Sequence, residues 1–235
     1  MLCSPSMIRL TAGALVCFDN DGTLFVSHEV ANPAIQRQYV RFCRAHGLLD
    51  EAEPSDEVIC RLTGQPGPAF YRALLPPSLQ DLAPQFREFC LEGEVEEVLA
   101  RGRLYPGVEE LLRDLRGAGL KLALVTNAGE KYLGAVRQRV GYEALLDGIY
   151  HFGMRGLTTK SQMIRMAMLE LAAETAVMVG DRSSDLEGAQ GAGVPFVGCL
   201  YGYGPPEELA GADLVARNVG ELRTILLPPS PGPVG

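Results

Sequence analysis

No segment of this chain is strongly basic: 21 Lys and Arg stand against 29 Asp and Glu, for a formal net charge of −8. Without a run of positive charge there is nothing in the sequence to neutralise a phosphate backbone, so nucleic acid is not the expected partner. No apolar run reaches the ~18 residues that a membrane helix requires. The first residues also lack the basic segment and apolar core of a secretory signal. The six cysteines form no Cys-x-x-Cys pair, and several sit among apolar residues, so they read as reduced, buried small hydrophobes. The three histidines, His28, His46 and His151, show no partner spacing and read as surface or capping residues. A reducing cytoplasm is the expected compartment, and a monomer or homodimer the expected state. With 235 residues and 47% hydrophobic content, the chain can bury a substantial core in one domain or two small ones.

What is present is concentrated at the ends of apolar runs. Leu15-Val16-Cys17-Phe18 reads as a strand that delivers Asp19 and Asp21 to a Gly22-Thr23 turn. Alternation along a strand puts residues i and i+2 on one side, so both carboxylates can start out facing one site. Two anions that close are costly to bury unless a cation sits between them, and a hard divalent cation with oxygen ligands is the natural solution. Lys121–Thr126 is a second apolar strand, ending in Thr126 and Asn127. Thr159-Lys160-Ser161 opens a helical pattern and supplies a lone lysine. Ala176–Gly180 is a third strand, followed by Asp181 and Asp185. In an open parallel sheet the ligand site lies beyond the carboxyl ends of the strands, so these polar residues converge on one crevice.

The four segments, in this order, resemble the haloacid dehalogenase superfamily: Asp-x-Asp-Gly-Thr, a strand ending in Thr, a lysine, then Gly-Asp-x-x-x-Asp. The resemblance spans about Leu15 to Leu227, and Tyr105–Leu112 and Gly202–Leu209 are similar to the phosphoglycolate phosphatase-like branch. That branch usually carries its lysine before a proline, whereas here Ser161 follows. The resemblance implies a Mg²⁺-dependent phosphatase acting on a small phosphorylated metabolite through an aspartyl-phosphate. Asp19 would be the nucleophile, and Asp21 the general acid and base, with its backbone carbonyl on the metal. Gly22, Thr126 and Asn127 would face the phosphoryl group, Lys160 would neutralise charge, and Asp181 and Asp185 would complete the metal ligands with Asp19 and Asp21. An aspartate at position 21 favours phosphoryl transfer over dehalogenation. A sugar phosphomutase uses the same nucleophile and stays open as the alternative, as does a nucleotide or sugar-phosphate phosphatase.

Strands that alternate with helical patterns predict an α/β fold, a Rossmann-like parallel sheet with helices on both faces. Apolar residues at 108, 111, 112 and 115 mark one amphipathic helix, and similar patterns recur from Tyr132 and from Met163. The methionines read as core filling. The small residues Gly188, Ala189, Gly191, Ala192 and Gly193 are expected to pack closely against the sheet. Residues 25–101 contain only helical patterns and predict a small α-helical cap inserted into the core of residues 1–24 and 102–227. Residues 228–235, rich in proline, are expected to be disordered. Within the cap, the Gly/Pro-rich turn of residues 61–68 resembles the specificity loop of the branch. Arg61, Gln65 and Arg72 are the candidates for contacting the leaving group there, arginine being suited to a carboxylate or second phosphate.

Overall fold

A computed structural model describes Ile8 and residues 10–227; Cys3 and the proline-rich tail lie outside the described residues. Strand β1 (Leu15–Phe18) is followed by four helices, α1 (Ala31–Ala45), α2 (Asp56–Leu62), α3 (Gly67–Leu74) and α4 (Ala83–Arg101). The chain then alternates: α5 (Val108–Gly117), β2 (Lys121–Thr126), α6 (Glu130–Val140), α7 (Tyr142–Leu145), β3 (Gly148–His151), α8 (Lys160–Glu170) and β4 (Ala176–Gly180). It closes with α9 (Ser183–Ala192), β5 (Phe196–Cys199), β6 (Leu214–Ala216) and α10 (Val219–Leu226).

The six strands form one sheet in the order β3-β2-β1-β4-β5-β6, and every pairing is parallel. Strand alternation divides the core into two layers. Val16, Phe18, Leu122 and Leu124 join Leu111, Leu115 and Leu222 on one face. Leu15, Cys17, Ala123 and Val125 join Met163, Ile164 and Ala167 on the other. The strand order reverses between β1 and β4, and their ends are in register at Phe18 and Val179. A crevice opens at such a reversal because the helices that follow the two strands pack on opposite faces.

Helices α1–α4 form a separate layer over that crevice. Phe42 and Tyr39 of α1 meet Phe86 of α4 with ring centroids 5.1 and 6.1 Å apart, which fixes the two long helices against each other. Two antiparallel linkers join this layer to the sheet: Tyr105 N–H donates to the Leu24 carbonyl at 2.9 Å, and Val26 N–H to the Arg103 carbonyl at 3.1 Å. Glu29 and Arg103 form an ion pair across the same linkers.

The small residues of α9 serve two neighbours, the sheet and α8. A Cβ on Gly188 would lie 2.6 Å from the Cβ of Lys160, and one on Gly191 would lie 3.0 Å from the Ser161 Cβ. The two glycines let α9 approach α8 while Ala189 packs against the sheet residues Met178 and Phe196, and so they fix where Lys160 enters the crevice.

Candidate active site

Three carboxylates meet at the β1/β4 reversal. Asp19, Asp181 and Asp185 are all buried, and each offers an oxygen within 4.8 Å of the others. Asp19 follows β1 directly, its N–H donating to the Val179 carbonyl at 2.9 Å. Asp181 is pinned from both sides, by the Thr23 hydroxyl at 2.9 Å and the Tyr203 N–H at 2.7 Å. Gly22 has φ +82°, and any side chain there would run into the Asp181 carboxylate, so glycine is required on both counts. Asp185 accepts from the backbone N–H groups of Asp181 and Arg182 at 3.1 and 3.0 Å.

Lys160 enters the same cluster, its Nζ 2.9 Å from Asp19 Oδ1 and 2.5 Å from Asp185 Oδ1. Burial alone would lower its pKa, but the charges of Asp185 and Asp19 outweigh that and raise it. The lysine is the first residue of α8, and Thr159 caps the helix in a reciprocal box with Gln162. The capping box sets the helix entry that a following proline would otherwise favour. Three carboxylates against one ammonium leave excess negative charge in a buried place. Burial first, then the charges of Asp185 and Asp19, push Asp181 up to about 8. An all-oxygen set with unbalanced charge suits a hard divalent cation such as Mg²⁺.

The Asp21 side chain stands outside the carboxylate cluster. The strand ends at Phe18, so alternation no longer governs position 21, and Asp21 Oδ1 instead accepts from the Tyr132 hydroxyl at 2.8 Å. Burial, then the charge of Asp19, raises its pKa to about 6 against the opposing hydrogen bond from Tyr132. Its listing among the metal ligands therefore rests on the backbone carbonyl alone.

Between sheet and cap lies a cavity of about 430 Å³. Its floor includes Asp19, Asp21, Thr126 and Asn127, and its cap side includes Gln65. Thr126 is buried, and its hydroxyl accepts from the Ala128 N–H at 3.1 Å. Two cap candidates fall elsewhere. Arg61 is largely exposed and pairs with Glu57 one helical turn away, and Arg72 pairs with Asp81, so neither side chain lines the cavity. The arginine that does line it is Arg87 of α4, together with Leu91 and Glu94 on the same helical face. Glu94 is buried and accepts from the Tyr71 hydroxyl at 2.8 Å. A carboxylate inside the apolar stripe Phe86, Cys90, Leu91, Val98 was the readable signal for this face. His151 also lines the cavity, paired with Glu130 at 2.8 Å, and is thus neither surface nor cap.

Arg182, which reads in sequence as a loop-shaping residue, spans core and cap. Its guanidinium donates to the Cys60 carbonyl at 3.0 Å, the Arg61 carbonyl at 2.9 Å and the Thr63 carbonyl. Glu208 holds the other side of the fork at 2.9 and 3.1 Å. The carbonyls are those left unpaired at the end of α2, where positive charge is favoured. Asn127 adds a second link, its Nδ2 donating to the Gly64 carbonyl at 2.8 Å.

This combination of switch-point carboxylates, buried lysine and helical cap is matched by a family model over residues 14–193, and the chain belongs to the haloacid dehalogenase-like hydrolases. Within that family it is 30% identical over 225 residues to a phosphoglycolate phosphatase of Vibrio cholerae, covering 91% of this chain and 96% of that protein. It is 29% identical to an N-acetylmuramic acid 6-phosphate phosphatase of Pseudomonas aeruginosa, covering 90% of this chain and 93% of the relative. The crystal structure of a predicted phosphatase from Clostridium acetobutylicum superposes with a TM-score of 0.73 at 25% identity, over 91% of this chain and 98% of that one. The chain is therefore an enzyme of the branch whose curated relatives include phosphatases.

Proposed function

We propose that the protein is a Mg²⁺-dependent phosphatase that hydrolyses a small phosphorylated metabolite through an aspartyl-phosphate on Asp19. The observation that carries this reading is the buried set Asp19, Asp181 and Asp185 with the Lys160 ammonium between two of them. Mg²⁺ held by those carboxylates would offset negative charge and polarise a phosphoryl oxygen. Asp19 attacks phosphorus in line with the departing alcohol, and Lys160 balances charge on nucleophile and phosphoryl group. Thr126 and the amides after it hold phosphoryl oxygens. Asp21, which faces the cavity with a pKa near neutrality, gives its proton to the leaving oxygen and later takes one from the attacking water. The cap excludes bulk water while this happens.

No helix among the described residues is long and apolar enough to cross a membrane. Among the described residues, five unpaired cysteines suit a reducing cytoplasm as the working compartment. The partner is the metabolite itself, bound by a monomer or homodimer. The test is release of inorganic phosphate from a panel of phosphomonoesters, phosphoglycolate included. Turnover should require Mg²⁺, stop with a chelator and vanish in a folded Asp19→Asn protein. Turnover that persists in that variant would remove Asp19 from the mechanism. Transfer of the phosphoryl group between sugars without phosphate release would mark a mutase instead.

A further inference from the structure

The leaving-group side of the cavity has a definite chemistry. It lies under a cap fastened to the core through Asn127 and Arg182, and its volume of about 430 Å³, open on one side to solvent, is shared by the phosphoryl group and the leaving group. Pockets of roughly 300–1,000 Å³ hold ligands of drug size, far larger than a two-carbon acid. The wall above the catalytic floor is mostly apolar, with Ile35, Ile59, Phe70, Tyr71, Leu91 and Phe152 contributing. A small polar acid would leave that surface against trapped water.

Charge is distributed just as unevenly. The acidic residues lining the cavity are Asp19, Asp21, Glu94 and Glu130, and His151 is taken up by Glu130. Arg87 is the permanent cation among the lining residues described. Of the carboxylates near it, Glu88 is 3.8 Å away, beyond hydrogen-bond reach, and Glu94, which feels its charge, is hydrogen-bonded to the Tyr71 hydroxyl instead. Its guanidinium reaches from cap to core, with Nη2 3.2 Å from where a Cβ on Gly129 would sit. A planar fork that faces the cavity without a hydrogen-bonded carboxylate suits an anionic oxygen group on the ligand.

We infer that the alcohol released here is a ring-sized, largely apolar body carrying an anionic oxygen group, which Arg87 holds. The inference rests on the phosphatase reading above and names the substrate class of that site. Arg87 is then the specificity-determining residue, in place of the outward-facing Arg61 and Arg72.

Three alkyl phosphomonoesters test this with the Mg²⁺-loaded enzyme: 2-phosphoglycolate, benzyl phosphate and 4-carboxybenzyl phosphate. The carboxybenzyl ester should have the highest kcat/KM, roughly ten- to hundredfold above benzyl phosphate. In Arg87→Met, which keeps the stem length, that preference should collapse through KM. Arg87→Lys, which keeps the charge but loses the fork, should restore part of it and stands in if the Met variant fails to fold. A higher kcat/KM for 2-phosphoglycolate than for both benzyl esters overturns the inference. So does the absence of a carboxylate preference, or one that survives loss of the guanidinium. In each of those cases phosphate is still released and the phosphatase reading stands. No release from any ester by the unaltered enzyme removes that reading itself.

Discussion

Asp19 and Asp21 are two residues apart, yet their surroundings divide the work between them. Asp19 lies against Lys160 and two other carboxylates, while Asp21 meets the Tyr132 hydroxyl and the cavity. A buried ion pair with Lys160 aims the first; burial, then the charge of Asp19, raises the pKa of the second to about 6. Asp21→Asn should therefore slow turnover of an alkyl phosphomonoester by about 10²–10⁴-fold. The phosphorylation step for an aryl ester such as p-nitrophenyl phosphate should slow much less, since its leaving group needs little protonation. Rapid-quench measurement of that step with both substrates checks the assignment, and equal losses count against it. At this scale the motif residues were legible because the chemistry dictates both type and spacing. The cap residues were not, because an arginine's direction is set by packing: Arg61 turns to Glu57, whereas Arg87, on a helix with no motif, turns inward.

Elements place these residues through their ends. Lys160 stands at the first position of α8 because Thr159 and Gln162 cap the helix there, and Gly188 of α9 leaves room for it. The end of α2 is completed by a residue from another layer. Arg182 supplies to Cys60, Arg61 and Thr63 the donors that the helix itself lacks. Because Arg182 adjoins Asp181, the loop that carries one of the clustered carboxylates also grips the cap. Hydrogen bonds to a charged group contribute about 1.5–3 kcal/mol each when made, and these can form only with the cap closed. Arg182→Ala should thus favour the open form and raise KM by roughly tenfold, equivalent to ~1.4 kcal/mol of closure. Arg182→Lys should recover only a fraction, because one ammonium cannot reach the carbonyls and Glu208 together. Steady-state kinetics on the three proteins checks this, and unchanged KM in the alanine variant would show that the clamp does not govern closure.

In the whole molecule, the parallel sheet was readable because β1, β2 and β4 are apolar runs that end in polar residues. Periodicity likewise marked residues 25–101 as helical, and they hold α1 to α4. Packing between elements was not readable: neither the approach of α9 to α8 nor the clamp at α2 follows from either segment alone. The same holds for Glu94, a carboxylate in the cap core whose environment includes Asp21 of the sheet domain. Burial above all, with Asp21 adding to it and the Tyr71 hydroxyl opposing, raises its pKa from 4.5 to about 7. Between those values the folded protein holds a proton that the unfolded chain has released. The stability this contributes is whole below pH 4.5 and is lost as pH rises through about 7, for a total on the order of 3 kcal/mol. Glu94→Gln keeps the shape and the contact with Tyr71 without a titrating group. Urea midpoints across that pH window, taken at one fixed Mg²⁺ concentration, should fall with rising pH in the unaltered protein and fall less in the variant. The fixed metal matters because Asp21, Asp181 and Asp185 have pKa values raised in the same direction and contribute a slope common to both proteins. The difference between the two curves isolates Glu94, and parallel curves would mean that its proton is not coupled to folding.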